Sequence, residues 1–103
     1  AGFTELDWYL QTQQGFVIQY AAFSEESVKN EFIKQFPNLD YIKYQRLIDN
    51  RKFEVLTTKP YATREVAESA LANMPEALKS LNIWIKSIKT IKSEIKQFES
   101  SQS

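Results

Sequence analysis

Residues 41–58 read YIKYQRLIDNRKFEVLTT, two short runs of β-branched and aromatic residues on either side of Asp49 and Asn50. Asp and Asn accept the positive φ angles that a two-residue loop imposes, so the runs 41–47 and 53–58 are predicted to pair as an antiparallel hairpin. In that register position 48 faces 51, and the side-chain period of two places Ile42, Tyr44, Phe53 and Val55 on one face, expected to lie toward the helices. Tyr41, Lys43, Gln45, Glu54, Leu56 and Thr58 fall on the other.

On the N-terminal side, residues 16–23, FVIQYAAF, are too short for a helix and are bounded by Gly15 and Ser24, which predicts a first strand. Ser24, Glu25 and Glu26 offer a hydroxyl cap and acidic residues for a helix whose Val28, Phe32, Ile33 and Phe36 recur at helical spacing up to Pro37. Further upstream, residues 3–13 suggest a short helix capped by Asp7, with Trp8 in the core. On the C-terminal side Thr63 caps a helix lined by Ala67, Ala70, Leu71 and Met74, which Pro75 interrupts. Residues 82–87, NIWIKS, alternate as a fourth strand, and Ile88, Ile91, Ile95 and Phe98 form an amphipathic helix fraying into ESSQS.

The order is β, α, β, β, α, β with an extra helix at each end. The fold class expected is α+β: a ferredoxin-like (RNP-like) βαββαβ sandwich with a four-stranded antiparallel sheet, strands one and three central, strand four beside strand one, and both crossover helices on one face. Residues 1–14 read as an extension, 15–88 as the domain and 89–103 as a helix and tail.

Composition narrows the function. The 103 residues carry 43% hydrophobic and 25% charged side chains, ordinary for one globular domain. Thirteen basic residues balance thirteen acidic ones, so no global positive field favours nucleic acid. With no cysteine and no histidine, thiolate nucleophiles, Ser/His triads and the usual zinc ligands are excluded, and no cofactor is expected. No apolar run reaches the ~20 residues needed to span a bilayer. The chain is expected to be soluble, with any membrane attachment made by a segment outside this sequence.

If Ile18 faces the core, alternation sends Gln19 to the opposite, open face, and the same logic sends Trp84 there, beside Leu56, Lys43 and Lys86. An indole stacks on the C–H face of a sugar ring, while a carboxamide both donates to and accepts from its hydroxyls. Each residue also has a plainer reading. An indole such as Trp84 is more often buried under another element, Gln19 is more often a solvated sheet residue, and Lys86, Lys89, Lys92 and Lys96 are most simply a wet surface.

Residues 15–24, GFVIQYAAFS, resemble the opening strand of SPOR domains, with Gln19 on that family's glutamine. Residues 53–71, FEVLTTKPYATREVAESAL, resemble their third strand and second helix through Pro60, Tyr61, Thr63 and Ala67, although Lys59 replaces the corner glycine. Residues 82–86 resemble the fourth strand of the DamX-type subgroup, which carries a tryptophan where Trp84 stands. The resemblance implies a non-catalytic, monomeric periplasmic domain of a bacterial inner-membrane cell-division protein. Such a module recognises septal peptidoglycan glycan strands denuded of stem peptides, with other division proteins as further partners. It also implies Gln19 and Trp84 as leading glycan contacts, with Ala22, Tyr20 and Phe53 as further candidates; Leu56 and Lys86 join the candidate site from the alternation above. Where relatives carry a small hydroxyl residue, this chain has Ala22.

Two other functions compete. A protein-interaction adaptor would use the Ile88, Ile91, Ile95, Phe98 stripe or a sheet edge. Single-stranded RNA binding would use the aromatic sheet face, against neutral charge and Glu54.

Overall fold

The computed structural model describes residues 15–102; the short helix expected over 3–13, with Asp7 and Trp8, lies outside them. Four strands, β1 (Phe16–Phe23), β2 (Ile42–Ile48), β3 (Arg51–Thr57) and β4 (Trp84–Ser87), form one antiparallel sheet in the order β2-β3-β1-β4. Helix α1 (Glu26–Gln35) connects β1 to β2, α2 (Arg64–Ala72) and the single turn α3 (Glu76–Lys79) connect β3 to β4, and α4 (Ile88–Gln102) follows β4. This is the expected α+β, βαββαβ arrangement with β1 and β3 at its centre.

The hairpin forms as its sequence predicts. Ile48 pairs with Arg51, and Asp49 and Asn50 take φ of 51° and 65°, the left-handed pair that matches the twist of adjoining strands. Thr63 caps α2, its Oγ1 accepting the Val66 N–H at 3.2 Å. α2 ends at Ala72 with Asn73 as its C-cap, so Met74, expected on the helix, lies just beyond it, and Pro75 is the N-cap of α3, where the N–H it lacks is not needed.

Other local expectations are corrected. The N-cap of α1 is Glu25, not Ser24, and its side chain makes no cap bond. Val28 is exposed and Lys29 takes the buried place, because the Lys29 ammonium reaches both oxygens of Glu54 on β3 at 3.1 Å and Glu26 at 3.2 Å. Burial works against that charge, but the two carboxylates outweigh it and hold the pKa above the ordinary lysine value. Lys59 is not among the residues with positive φ, so the missing corner glycine costs nothing there. The tail does not fray at Glu99; α4 continues to Gln102.

The sheet is covered on both sides. One layer joins Tyr20 and Leu56 to Phe32 of α1 and Leu78 of α3, with Phe23, Phe36, Met74 and Ile83 packed around them. The other joins Val17, Ile42, Tyr44 and Val55 to Ile88, Ile91 and Ile95 of α4. The crossover helices therefore share one face, as expected, but it is the Leu56 face of the hairpin. The Ile42, Tyr44, Phe53, Val55 face, expected to lie toward the crossover helices, lies beneath α4 instead.

A bulge in β1 separates the two registers. Gln19 pairs with Thr57 of β3, whereas Ala21 pairs with Leu56, so one residue is inserted between them. Thr58 supports the irregularity: its Oγ1 accepts the Ile18 N–H at 3.0 Å. The insertion turns both Tyr20 and Ala21 toward the crossover helices and returns Ala22 to the face that carries Gln19.

Candidate functional site

Gln19 of β1 and Trp84 of β4 are direct partners across an antiparallel ladder, so their side chains leave the same face side by side. Thr57 and then Ile42 continue the same row across the sheet. Trp84 stands on the edge strand at 47% exposure and is the only exposed aromatic among the described residues. Gln19 is half-buried, and its Oε1 is shielded from solvent with no hydrogen-bond partner among the described residues. A shielded carbonyl without a donor is costly, on the order of 1–3 kcal/mol, unless something supplies one.

Trp84 is held from below by Lys86, whose Nζ lies 4.9 Å from the indole centroid, within cation–π range. Lys86 is itself 2% exposed. Its ammonium lies 3.0 Å from Glu94 Oε1 and donates to Tyr44 Oη at 2.9 Å. Glu94 also accepts from Tyr44 Oη at 2.6 Å and from Arg46 at 2.8 Å. The carboxylate of α4 thus gathers three donors from β2 and β4 and seats the helix on the sheet. Burial pulls the Lys86 pKa below its ordinary range, with Arg46 adding to the effect and Glu94 opposing it.

Of the residues expected to share an open surface, Gln19, Trp84 and Lys86 lie on one face and Leu56 and Lys43 do not; of the further contacts implied by the resemblance, Ala22 and Phe53 join the Gln19 face and Tyr20 does not. Leu56 is fully buried and Tyr20 is 5% exposed, both in the layer beneath the crossover helices. Lys43 also belongs to that side, paired to Glu54 at 3.4 Å. The reason is the register of β1 on β3: Gln19 meets Thr57, not Leu56, and the bulge prevents alternation from being carried through the strand. Phe53 follows Val55 onto the Gln19 face but stands opposite Arg46, two pleats along β3 from the Gln19 row. Lys86 is on the expected face, yet buried rather than presented.

The bare face expected of the sheet is therefore partly covered. A stripe of Ile88, Ile91 and Ile95 needs an apolar partner, and Val17, Ile42, Tyr44 and Val55 supply the one surface left by α1, α2 and α3. Sequence reading singled out neither Glu94 nor Arg46; a lone acid at the spacing of the apolar stripe, facing the same way as Ile91 and Ile95, was the available signal.

No family model matches this chain, and no curated protein matches it. No helix of the described residues is long and apolar enough to cross a membrane.

Proposed function

We propose that this domain binds peptidoglycan glycan strands stripped of their stem peptides, without catalysis, as a SPOR-type module of a periplasmic cell-division protein. The observation that carries the reading is the Gln19–Trp84 cross-strand pair, an exposed indole beside a carboxamide whose oxygen lacks a donor. A sugar ring laid on the indole brings its hydroxyl rim against the half-buried Gln19 side chain, and a rotation of the carboxamide that unshields its oxygen lets stacking and hydrogen bonding be satisfied together. Lys86, pinned by Glu94, gives the indole a rigid underside, so little ordering entropy is lost on binding.

Sedimentation of the chain with amidase-treated sacculi tests the reading. Trp84→Ala is expected to weaken retention by roughly tenfold and Gln19→Ala by somewhat less, on the scale of one aromatic stack and one hydrogen bond. Unchanged retention of the double variant removes the site. The adaptor alternative has lost one of its surfaces, since Ile88, Ile91 and Ile95 are at most 1% exposed.

A further inference from the structure

A cleft of about 370 Å³ lies on the crossover-helix side of the sheet, lined by Tyr20, Asp40, Tyr41, Thr58, Lys59 and Tyr61. Tyr20 comes from the middle of β1, Asp40 and Tyr41 from the segment entering β2, and residues 58–61 from the loop that leaves β3. Backbone pairing fixes that loop: the Phe16 N–H donates to the Tyr61 carbonyl at 2.9 Å, and the Tyr61 N–H donates to the Phe16 carbonyl at 2.6 Å. Tyr20 is 5% exposed, yet its hydroxyl makes no hydrogen bond among the described residues. Burial, then the proximity of Tyr61 and Asp40, raises its pKa to about 12, so the group stays protonated and able to donate. A phenol so deep ordinarily has a partner, and the cleft is where one can stand. The Thr58 hydroxyl is already engaged, accepting the Ile18 N–H and donating to the Lys59 carbonyl. Asp40 and Lys59, of opposite sign and both exposed, line the same cleft without an ion pair to each other or to any other described residue.

We infer that this cleft binds a small zwitterion of dipeptide size, its ammonium at Asp40 among the phenols and its carboxylate at Lys59. The glycan reading is not involved, because Tyr20 and the Gln19–Trp84 row stand on opposite faces of the sheet. A bare anion is opposed by Asp40 and a bare cation by Lys59, so a ligand carrying both signs is the one that both residues favour. Phenol hydroxyls suit either end, accepting from an ammonium and donating to a carboxylate, and the ring faces attract a cation. The volume lies at the small end of the range of about 300–1,000 Å³ over which small-molecule sites fall, which admits a dipeptide and excludes a folded partner.

Isothermal titration of the full chain with alanylalanine, N-acetyl-alanylalanine and alanylalanine amide provides the test. The wild-type protein is expected to bind the zwitterion roughly tenfold more tightly than either blocked form, since each block removes one charge-assisted contact. Asp40→Asn is expected to erase the advantage over the acetylated peptide and keep that over the amide, and Lys59→Gln to do the reverse. Both residues are exposed, so neither variant disturbs the core. Tyr20→Phe keeps the ring and is expected to weaken the zwitterion by roughly fivefold, the scale of one hydrogen bond. Absence of saturable binding by the zwitterion, equal affinity for the three peptides, or undiminished discrimination in both charge variants overturns the cleft, whatever the chain does with sacculi. Loss of sacculus retention in Asp40→Asn or Lys59→Gln, with no dipeptide bound by the wild-type protein, assigns the cleft to the glycan and also overturns it.

Discussion

The Lys86 ammonium and the Glu94 carboxylate lie 3.0 Å apart beneath α4, joining the edge strand that carries Trp84 to the helix that crosses the sheet. Lys86 is sealed from water and Glu94 nearly so, which makes the pair costly to split. Glu94→Gln, which strands the buried ammonium, is expected to destabilise by ~3 kcal/mol. Lys86→Met/Glu94→Leu is expected to recover most of that, since neither partner is then left charged. Urea unfolding of the single and double variants measures the difference, and equal losses in both would refute a pairwise origin.

The same lysine has a pH signature. Its folded-state pKa lies below the ordinary 10.5, so in the window beneath that value the folded protein releases the proton before the unfolded chain does. Stability from this group therefore rises as pH climbs toward 10.5. Lys86→Met is expected to lose that rise, read as the difference in unfolding midpoint between neutral and mildly alkaline buffer.

Tyr20 acts with the opposite sign at higher pH. Burial, then the proximity of Tyr61 and Asp40, pushes its phenol from 10.0 up to about 12. The contribution is complete below pH 10 and is lost as pH rises toward 12, a change on the order of 2–3 kcal/mol. Tyr20→Phe keeps the ring in its layer with Phe32 and Leu56 and is expected to show a shallower alkaline decline. A wild-type curve no steeper than the variant's excludes Tyr20 as its source.

α4 is part of the folded unit. Ile91 and Ile95 are at most 1% exposed in the layer with Val17, Tyr44 and Val55, so Ile91→Ala is expected to cost ~2–4 kcal/mol. Deletion from Ile88 onward should abolish cooperative unfolding. A truncated chain with an intact thermal transition would instead make the helix an appendage.

Gly15 joins three elements. At φ 133° its added Cβ would meet the Tyr61 carbonyl at 2.9 Å, and its own carbonyl accepts the Ile88 N–H at 2.9 Å. Gly15→Ala is expected to destabilise by ~1–3 kcal/mol through backbone strain, measurable as a lowered melting temperature; an unchanged one would show that the Tyr61 loop yields freely.

Much of this architecture was legible because it rests on local chemistry. Asp49-Asn50 specifies a tight turn, Thr63 specifies a helix start, and alternation in 41–58 pairs Tyr44 with Val55 and separates both from Leu56. The shared face of Gln19 and Trp84 followed from alternation within two short strands. Val28 and Lys29 were misread because periodicity ranks side chains by hydropathy, whereas Glu54, distant in sequence, supplies the partner that allows a lysine to be buried.

By itself the sequence determined the element order, the hairpin register and which residues each short strand sends to opposite sides, since these depend on backbone geometry within a few residues. Only the tertiary structure decided which side the crossover helices occupy, that a bulge after Gln19 carries Ala22 across, and that α4 covers much of the Gln19 face. Those outcomes depend on competition between two apolar surfaces for four helices, a contest settled by the packing of residues far apart in the chain.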